Sequence, residues 1–271
     1  MKRRSAREIC NVLAMLAIFI GLGNEMAQAS PRGEDMGIEL EIRAWMPTLS
    51  ASVQSSETST IGDEVDLEST LGMKTRQNFF WPKATLHFAD RHRLSVSYLN
   101  MRYSGDKIVT QPFTFGGTTF RAGEAIHSEV NFDELAAEYQ YDFLKFSRLA
   151  ASANLQARYL DIEAEVRGAT QGTRKEDFQV PVPTIGVGIR VWPVEWLKVD
   201  GDFNIFKLGI SAYEAEVIDS QAALTFSPWA WDWFGLSVGY VYYRVLLQDT
   251  DSGDRADWFQ KGPYAAVTAR F

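Results

Sequence analysis

The chain has 271 residues, 46% of them hydrophobic, a formal charge of −8 and a single cysteine. The acidic balance argues against nucleic acid as a partner, and one cysteine excludes a disulfide framework. The length suits one domain or two.

Lys2, Arg3, Arg4 and Arg7 form a basic start, residues 12–22 a short apolar stretch, and Ala27-Gln28-Ala29 an A-x-A cleavage site. This pattern predicts a signal peptide over residues 1–29, because the apolar run is too short to span a membrane and small residues follow it. Cleavage after Ala29 would leave residues 30–271 without cysteine and with a formal charge of −10. Cys10 precedes the apolar run and lacks a lipoprotein's Leu-x-small context. After Ser30 no stretch approaches the ~20 apolar residues of a membrane helix.

Period-two alternation recurs along the rest of the chain and predicts strands. The first covers residues 37–46, with Ile38, Leu40, Ile42 and Ala44 against Glu39, Glu41 and Arg43. The second covers 79–88, with Phe80, Ala84, Leu86 and Phe88 against Lys83, Thr85 and His87, and a tight turn follows at Asp90-Arg91-His92. A third begins at Arg93 and runs toward Phe115, before a hairpin tip at Gly116-Gly117. The fourth, 131–143, sets Leu135, Ala137, Tyr139 and Tyr141 against Glu134, Glu138, Gln140 and Asp142. The fifth sets Leu149 to Tyr159 against Ser152, Asn154, Gln156 and Arg158, and 168–177 reads as a polar loop. The sixth alternates Ile185, Val187, Ile189 and Val191 with Thr184 and Arg190; the seventh alternates Leu197, Val199 and Phe203 with Lys198, Asp200 and Asp202. The eighth sets Ile218, Ala222, Leu224 and Phe226 against Asp219, and the ninth sets Leu236, Val238, Tyr240 and Tyr242 against small residues. An acidic loop, 248–257, precedes the tenth, which ends the chain.

In that last strand Pro263, Ala265, Val267, Ala269 and Phe271 share one face, and Gly262, Tyr264, Ala266, Thr268 and Arg270 the other. A strand so divided and closed by a terminal Phe resembles the closing strand of Gram-negative outer-membrane β-barrels, of the small porin-like class. The resemblance implies an all-β fold: a transmembrane antiparallel up-and-down β-barrel over residues 30–271. Ten strands are expected, with twelve or eight as alternatives; a further hairpin hidden in residues 48–77 would give twelve. It also implies that Tyr264, Val267 and Phe271 belong to a signal read by the outer-membrane insertion machinery, and that outer-membrane lipid and lipopolysaccharide surround the protein. Its oligomeric state stays open. An even strand number, short turns at one end and longer loops at the other suit this class.

Tryptophans 192, 196, 229, 231 and 233 fall at predicted periplasmic turns, and Trp45, Trp81 and Trp258 near the opposite ends, as two interfacial girdles would require. Pro82, Pro183 and Pro263 lie inside predicted strands, which a closed barrel disfavours; they read as markers of the outer rim.

The charged residues of the polar face are costly in hydrocarbon and are expected to line the lumen: Glu39, Glu41, Arg43, Lys83, His87, Glu134, Glu138, Asp142, Arg158, Arg190, Lys198, Asp200, Asp202, Asp219 and Arg270. A lumen so lined suggests a narrow channel for small polar solutes or ions. The alternative is a closed barrel, plugged by ion pairing, that acts structurally or through its extracellular loops. An enzyme is not expected. His127-Ser128-Glu129, near Asp133, is the best grouping for a hydrolase, but neighbours on a strand point to opposite faces. No cofactor or metal motif stands out: 249–254 departs from a calcium loop, with Gly253 where a ligand belongs.

Overall fold

The computed structural model describes residues 37–54, 64–210, 213–228, 233–249, 251, 253 and 255–271. The predicted signal peptide, Trp229, Trp231 and, of the expected 248–257 loop, residues 250, 252 and 254 lie outside them; 248–249 and 255–257 are strand and not loop. Every element is a strand: β1 (Gly37–Trp45), β2 (Thr48–Gln54), β3 (Glu64–Asp66), β4 (Phe79–Phe88), β5 (His92–Ile108), β6 (Phe113–Phe115), β7 (Thr118–Phe120), β8 (Ala125–Lys145), β9 (Leu149–Gly168), β10 (Gly172–Val194), β11 (Leu197–Ile210), β12 (Tyr213–Phe226), β13 (Phe234–Asp249) and β14 (Arg255–Arg270).

The order β1-β4-β5-β8-β9-β10-β11-β12-β13-β14 closes on itself through antiparallel pairing of β1 with β14, giving a ten-stranded barrel. The segment after β1 holds extra strands, but not an added pair in the wall. β2 resumes the line of β1 in unchanged register beyond a two-residue break at Met46-Pro47 and pairs with the outer part of β14, and β3 pairs with β2. The third predicted strand stops at Ile108. Residues 113–115 form β6, which turns back into β7 over Gly116 (φ 51°) and Gly117 (φ 67°), the left-handed pair of a tight hairpin. The loop expected over residues 168–177 shrinks to the turn 169–171: β9 and β10 pair without a break from Gly172↔Gly168 to Val191↔Leu149.

Why the long strands hold follows from a change of phase within each one. On β9, outward Leu149, Ala151, Ala153, Leu155, Ala157 and Tyr159 oppose inward Ser152, Asn154, Gln156 and Arg158. Beyond Tyr159 the pattern inverts, with Leu160, Ile162, Ala164 and Val166 inward and Asp161, Glu163, Glu165 and Arg167 outward. On β8 the inversion falls between Asp133 and Leu135, and on β5 after Tyr98. The outward apolar run of β9 spans 11 residues, from Leu149 to Tyr159, which matches the ~9–11 residues of a tilted membrane strand. Above that belt the wall behaves like a water-soluble sheet, apolar inside and polar outside. Its apolar inner face is covered by Val65, Leu67, Leu71 and Met73 and by the β6–β7 hairpin through Phe113, Phe115 and Phe120, all buried in one core.

Trp45, Trp81 and Trp258 belong to that core and not to a girdle: their inward positions fall where the interior is apolar. Tyr98, Tyr159 and Tyr242 mark the upper margin of the belt instead, while Trp196, Trp233 and Phe271 stay exposed at the lower end.

The three strand prolines share one explanation. The β9–β10 ladder passes through Pro181 and Pro183 unbroken, so their ring nitrogens face β11. The β10–β11 ladder accordingly ends at Ile185↔Ile205, one hydrogen-bonding position before Pro183. Pro82 likewise pairs with Ile42 of β1, and the β4–β5 ladder ends beside it at Lys83↔Ser97. Pro263 lies opposite the β1–β2 break, where its carbonyl accepts the Met46 N–H at 3.0 Å. The prolines mark places where the ladder lets go.

Candidate functional site

The inward polar residues meet in the membrane-spanning part of the barrel. Arg158 on β9, buried, donates to Glu134 on β8 at 2.9 Å and also pairs with Asp219 on β12; the Tyr243 hydroxyl of β13 donates to the other Glu134 oxygen at 2.9 Å. Four strands are thus tied across the lumen. Toward the end of the barrel that carries the short turns, Arg190 and Arg93 converge on Asp142, at 2.6 and 3.4 Å. Arg43 pairs with Glu41, donates to Gln221 at 2.8 Å, and lies between the rings of Trp81 and Tyr264, at 4.8 and 4.9 Å. Lys83 approaches Glu138 at 3.7 Å, Lys198 approaches Asp200 at 3.6 Å, and Arg270 approaches Glu39 at 2.8 Å. Asp202 accepts from Gln221 at 3.0 Å and from Asn154 and Gln140 at 3.3 and 3.4 Å.

All fifteen residues that the sequence singles out therefore lie inside the wall, and His87 lines the same space. Sequence reasoning passed over Arg93, although it alternates with Leu94 at the start of β5; Gln140, Asn154 and Gln221 it put on the polar face but did not count among the lining residues. Of the residues expected to form an insertion signal, Tyr264 is buried in the barrel against Arg43, while Val267 and Phe271 are exposed on its outer wall.

The open space is small. The polar chamber of Glu39, Arg43, Lys83, Arg190, Asp200 and Asp202 encloses about 60 Å³, and a smaller one beside Glu138 and Asp219 about 20 Å³. A water needs ~10–15 Å³ on this measure, so the chambers hold a few waters. Outward of the Arg158 cluster the interior turns apolar and aromatic: Phe132 stacks on Trp258 at 5.2 Å, Tyr103 meets Trp258 at 5.9 Å, and Leu160, Val130 and Val217 are fully packed around them.

Outside the wall the groups considered for hydrolysis are apart. His127 is exposed and its Nδ1 meets Asp106 at 2.8 Å, while Ser128 is buried on the inward face. Among the described residues, no group of three or more His, Cys, Asp or Glu side chains is arranged to hold a metal. At the top of the barrel, Glu124 accepts the Thr170 hydroxyl at 2.6 Å and the N–H groups of Thr170 and Gln171 at 2.9 and 3.3 Å. These bonds, the hydroxyl foremost, hold its carboxyl below the ordinary range. An outward cleft of about 420 Å³ opens above the belt between Ser50, Ser52, Asp66, Tyr242, Arg244, Asp257 and Phe259.

Among solved structures, the outer-membrane protease OmpT from Escherichia coli superposes with a TM-score of 0.54 at 10% identity, covering 91% of this chain and 99% of that one. The fold is that of the Gram-negative outer-membrane β-barrels. The translocator domain of autotransporter NalP from Neisseria meningitidis is also similar, with a TM-score of 0.47 at 11% identity, covering 98% of this chain and 96% of that one. So is the attachment invasion locus protein Ail of Yersinia pestis, at 0.38 and 10%, covering 85% and 99%. No family model and no curated protein matches the chain. Fold and apolar belt indicate the bacterial outer membrane as its place; a likeness at 10% identity shows the fold and selects no activity.

Proposed function

We propose that this protein is a closed barrel without enzymatic activity, which acts through the folded part it holds outside the membrane. The observation that carries the reading is the interior: eight carboxylates and seven cations meet in ion pairs and hydrogen bonds below an aromatic plug. Ten strands leave a lumen only slightly wider than the eight-stranded kind that side chains fill, and here they fill it. A polar solute would have to open the Arg158 cluster and then cross an apolar layer, at a desolvation cost on both counts. The narrow-channel reading suggested by the polar lining loses its support at that layer. Above the belt, long paired strands and a capping hairpin give a folded surface, with an outward cleft at Arg244 and Asp257.

Single-channel recording on the protein reconstituted in planar bilayers tests this. A folded barrel that stays silent supports the proposal. Discrete, reproducible steps whose selectivity changes with Arg158→Gln and Arg190→Gln would restore the channel.

A further inference from the structure

Two seams interrupt the outer half of the wall, and they differ. Beside β5 the seam is sutured. Met73 bridges to Gly105, Thr48 bridges to Arg76, and Gly105 packs so closely on Gly72 that a Cβ would overlap the Gly72 carbonyl. Between β10 and β11, beyond Ile185↔Ile205, no strand pairing joins the two walls among the described residues. The consequence shows in exposure. Inward apolar residues next to the sutured seam (Leu99, Met101, Tyr103) are buried, whereas Phe178 and Leu208, which share the inward faces of β10 and β11, are 44% and 41% exposed.

The depth of this opening sets what meets it. Pro183 is paired with Ala157 and Pro181 with Tyr159, the last two residues of the apolar belt on β9. On β11, Phe203 stands exposed in the same belt just below the split. The gap therefore begins at the upper margin of the hydrocarbon, where the acyl chains of the outer leaflet end. An open strand edge at that depth is normally excluded, because its backbone donors go unsatisfied. Pro181 and Pro183 remove two donors from the edge. Behind it, Val180 and Phe206 pack on the apolar core to which Val182 and Val217 belong. On the β10 side the surface that faces lipid thus continues inward past Pro183 and Pro181, while on β11 Lys207, paired with Glu216 at 2.9 Å, stands at the outer lip.

From this continuity we infer that the β10–β11 seam is a lateral binding site for a hydrocarbon chain, taken from an outer-leaflet lipid, with Val180, Val182, Phe206 and Leu208 as its walls and the Arg158 cluster as its polar floor. It does not depend on whether the barrel conducts: the chain enters from the side and stops above the ion pairs.

The test is photolabelling. The protein is purified from outer membranes and reconstituted with a phosphatidylcholine carrying a diazirine near the end of one acyl chain. Adducts are then mapped by peptide mass spectrometry. Inward Val182, Phe206 and Leu208 are expected to label alongside outward Ile185 and Phe203, while inward Met101 and Tyr103, behind the sutured seam, stay unlabelled. The double variant Pro181→Val/Pro183→Val restores two donors to the edge and is expected to lower the inward labelling with the belt labelling unchanged. Labels confined to Ile185 and Phe203 in the wild-type protein would overturn the inference, whatever the variant does. Inward labelling that persists undiminished in a folded double variant would overturn the seam as the way in.

Discussion

Arg158 is the residue on which the lumen turns. Its guanidinium faces two carboxylates and Gln156, and its side chain is 2% exposed. Removing one partner of such a group leaves the others charged and unpaired, at a cost of about 3–5 kcal/mol. Arg158→Met is expected to lose that much in urea unfolding of the barrel in lipid. Adding Glu134→Gln and Asp219→Asn should recover most of the loss, since no charge then remains to be compensated. A triple variant as unstable as the single one would show that the cluster holds the wall by shape. Glu124 gives a second expectation, outside the membrane. Because its carboxyl is depressed in the folded state, its bonds to Thr170 and Gln171 stabilise the top of the barrel at every pH above the ordinary 4.5 and are lost only as pH falls through the lowered value. Protection of the Thr170 and Gln171 amides, taken as exchange relative to the unstructured rate at each pH, should hold at pH 5 and fall at more acid pH, and Glu124→Gln should abolish the dependence.

Glycines and prolines set the boundaries between elements. Gly105 lets β5 touch the Gly72 backbone, and Lys74 N–H reaches Ser104 O at 3.4 Å next to it. Gly105→Ala forces the two chains apart, at a cost of about 1–3 kcal/mol for overpacking. The expected sign is faster exchange at the Met73 and Lys74 amides with the β8–β9 ladder untouched. Much of this level was legible in the sequence. The ten strands, the Gly116-Gly117 tip and β4 to the residue follow from alternation and turn chemistry. The outer halves of β8, β9 and β10 did not, since Asp161, Glu163 and Glu165 look like loop residues to a reader who expects the apolar face always outward. Leu160, Ile162 and Val166 between them carried the opposite signal. The lumenal residues were legible as a face, but their pairing was not. Which carboxylate meets Arg158 depends on register and strand tilt, and Glu134, Asp219 and Tyr243 come from three different strands.

At the scale of the whole molecule, the barrel is two structures end to end, a polar-cored half in lipid and an apolar-cored half outside it. Silence in a bilayer is expected of the assembly, because polar floor and apolar plug each stop what the other would pass. The phase inversion that joins the halves has a further consequence. Just above the tyrosines, Asp133, Asp161 and Glu163 turn outward, and hydrocarbon that rose over them would face ionised groups on adjoining strands. Just below, Leu155 and Leu135 would be left in water if it fell. The chain thus carries its own waterline, written as a one-residue change of parity, and a thicker or thinner membrane must adjust to the protein.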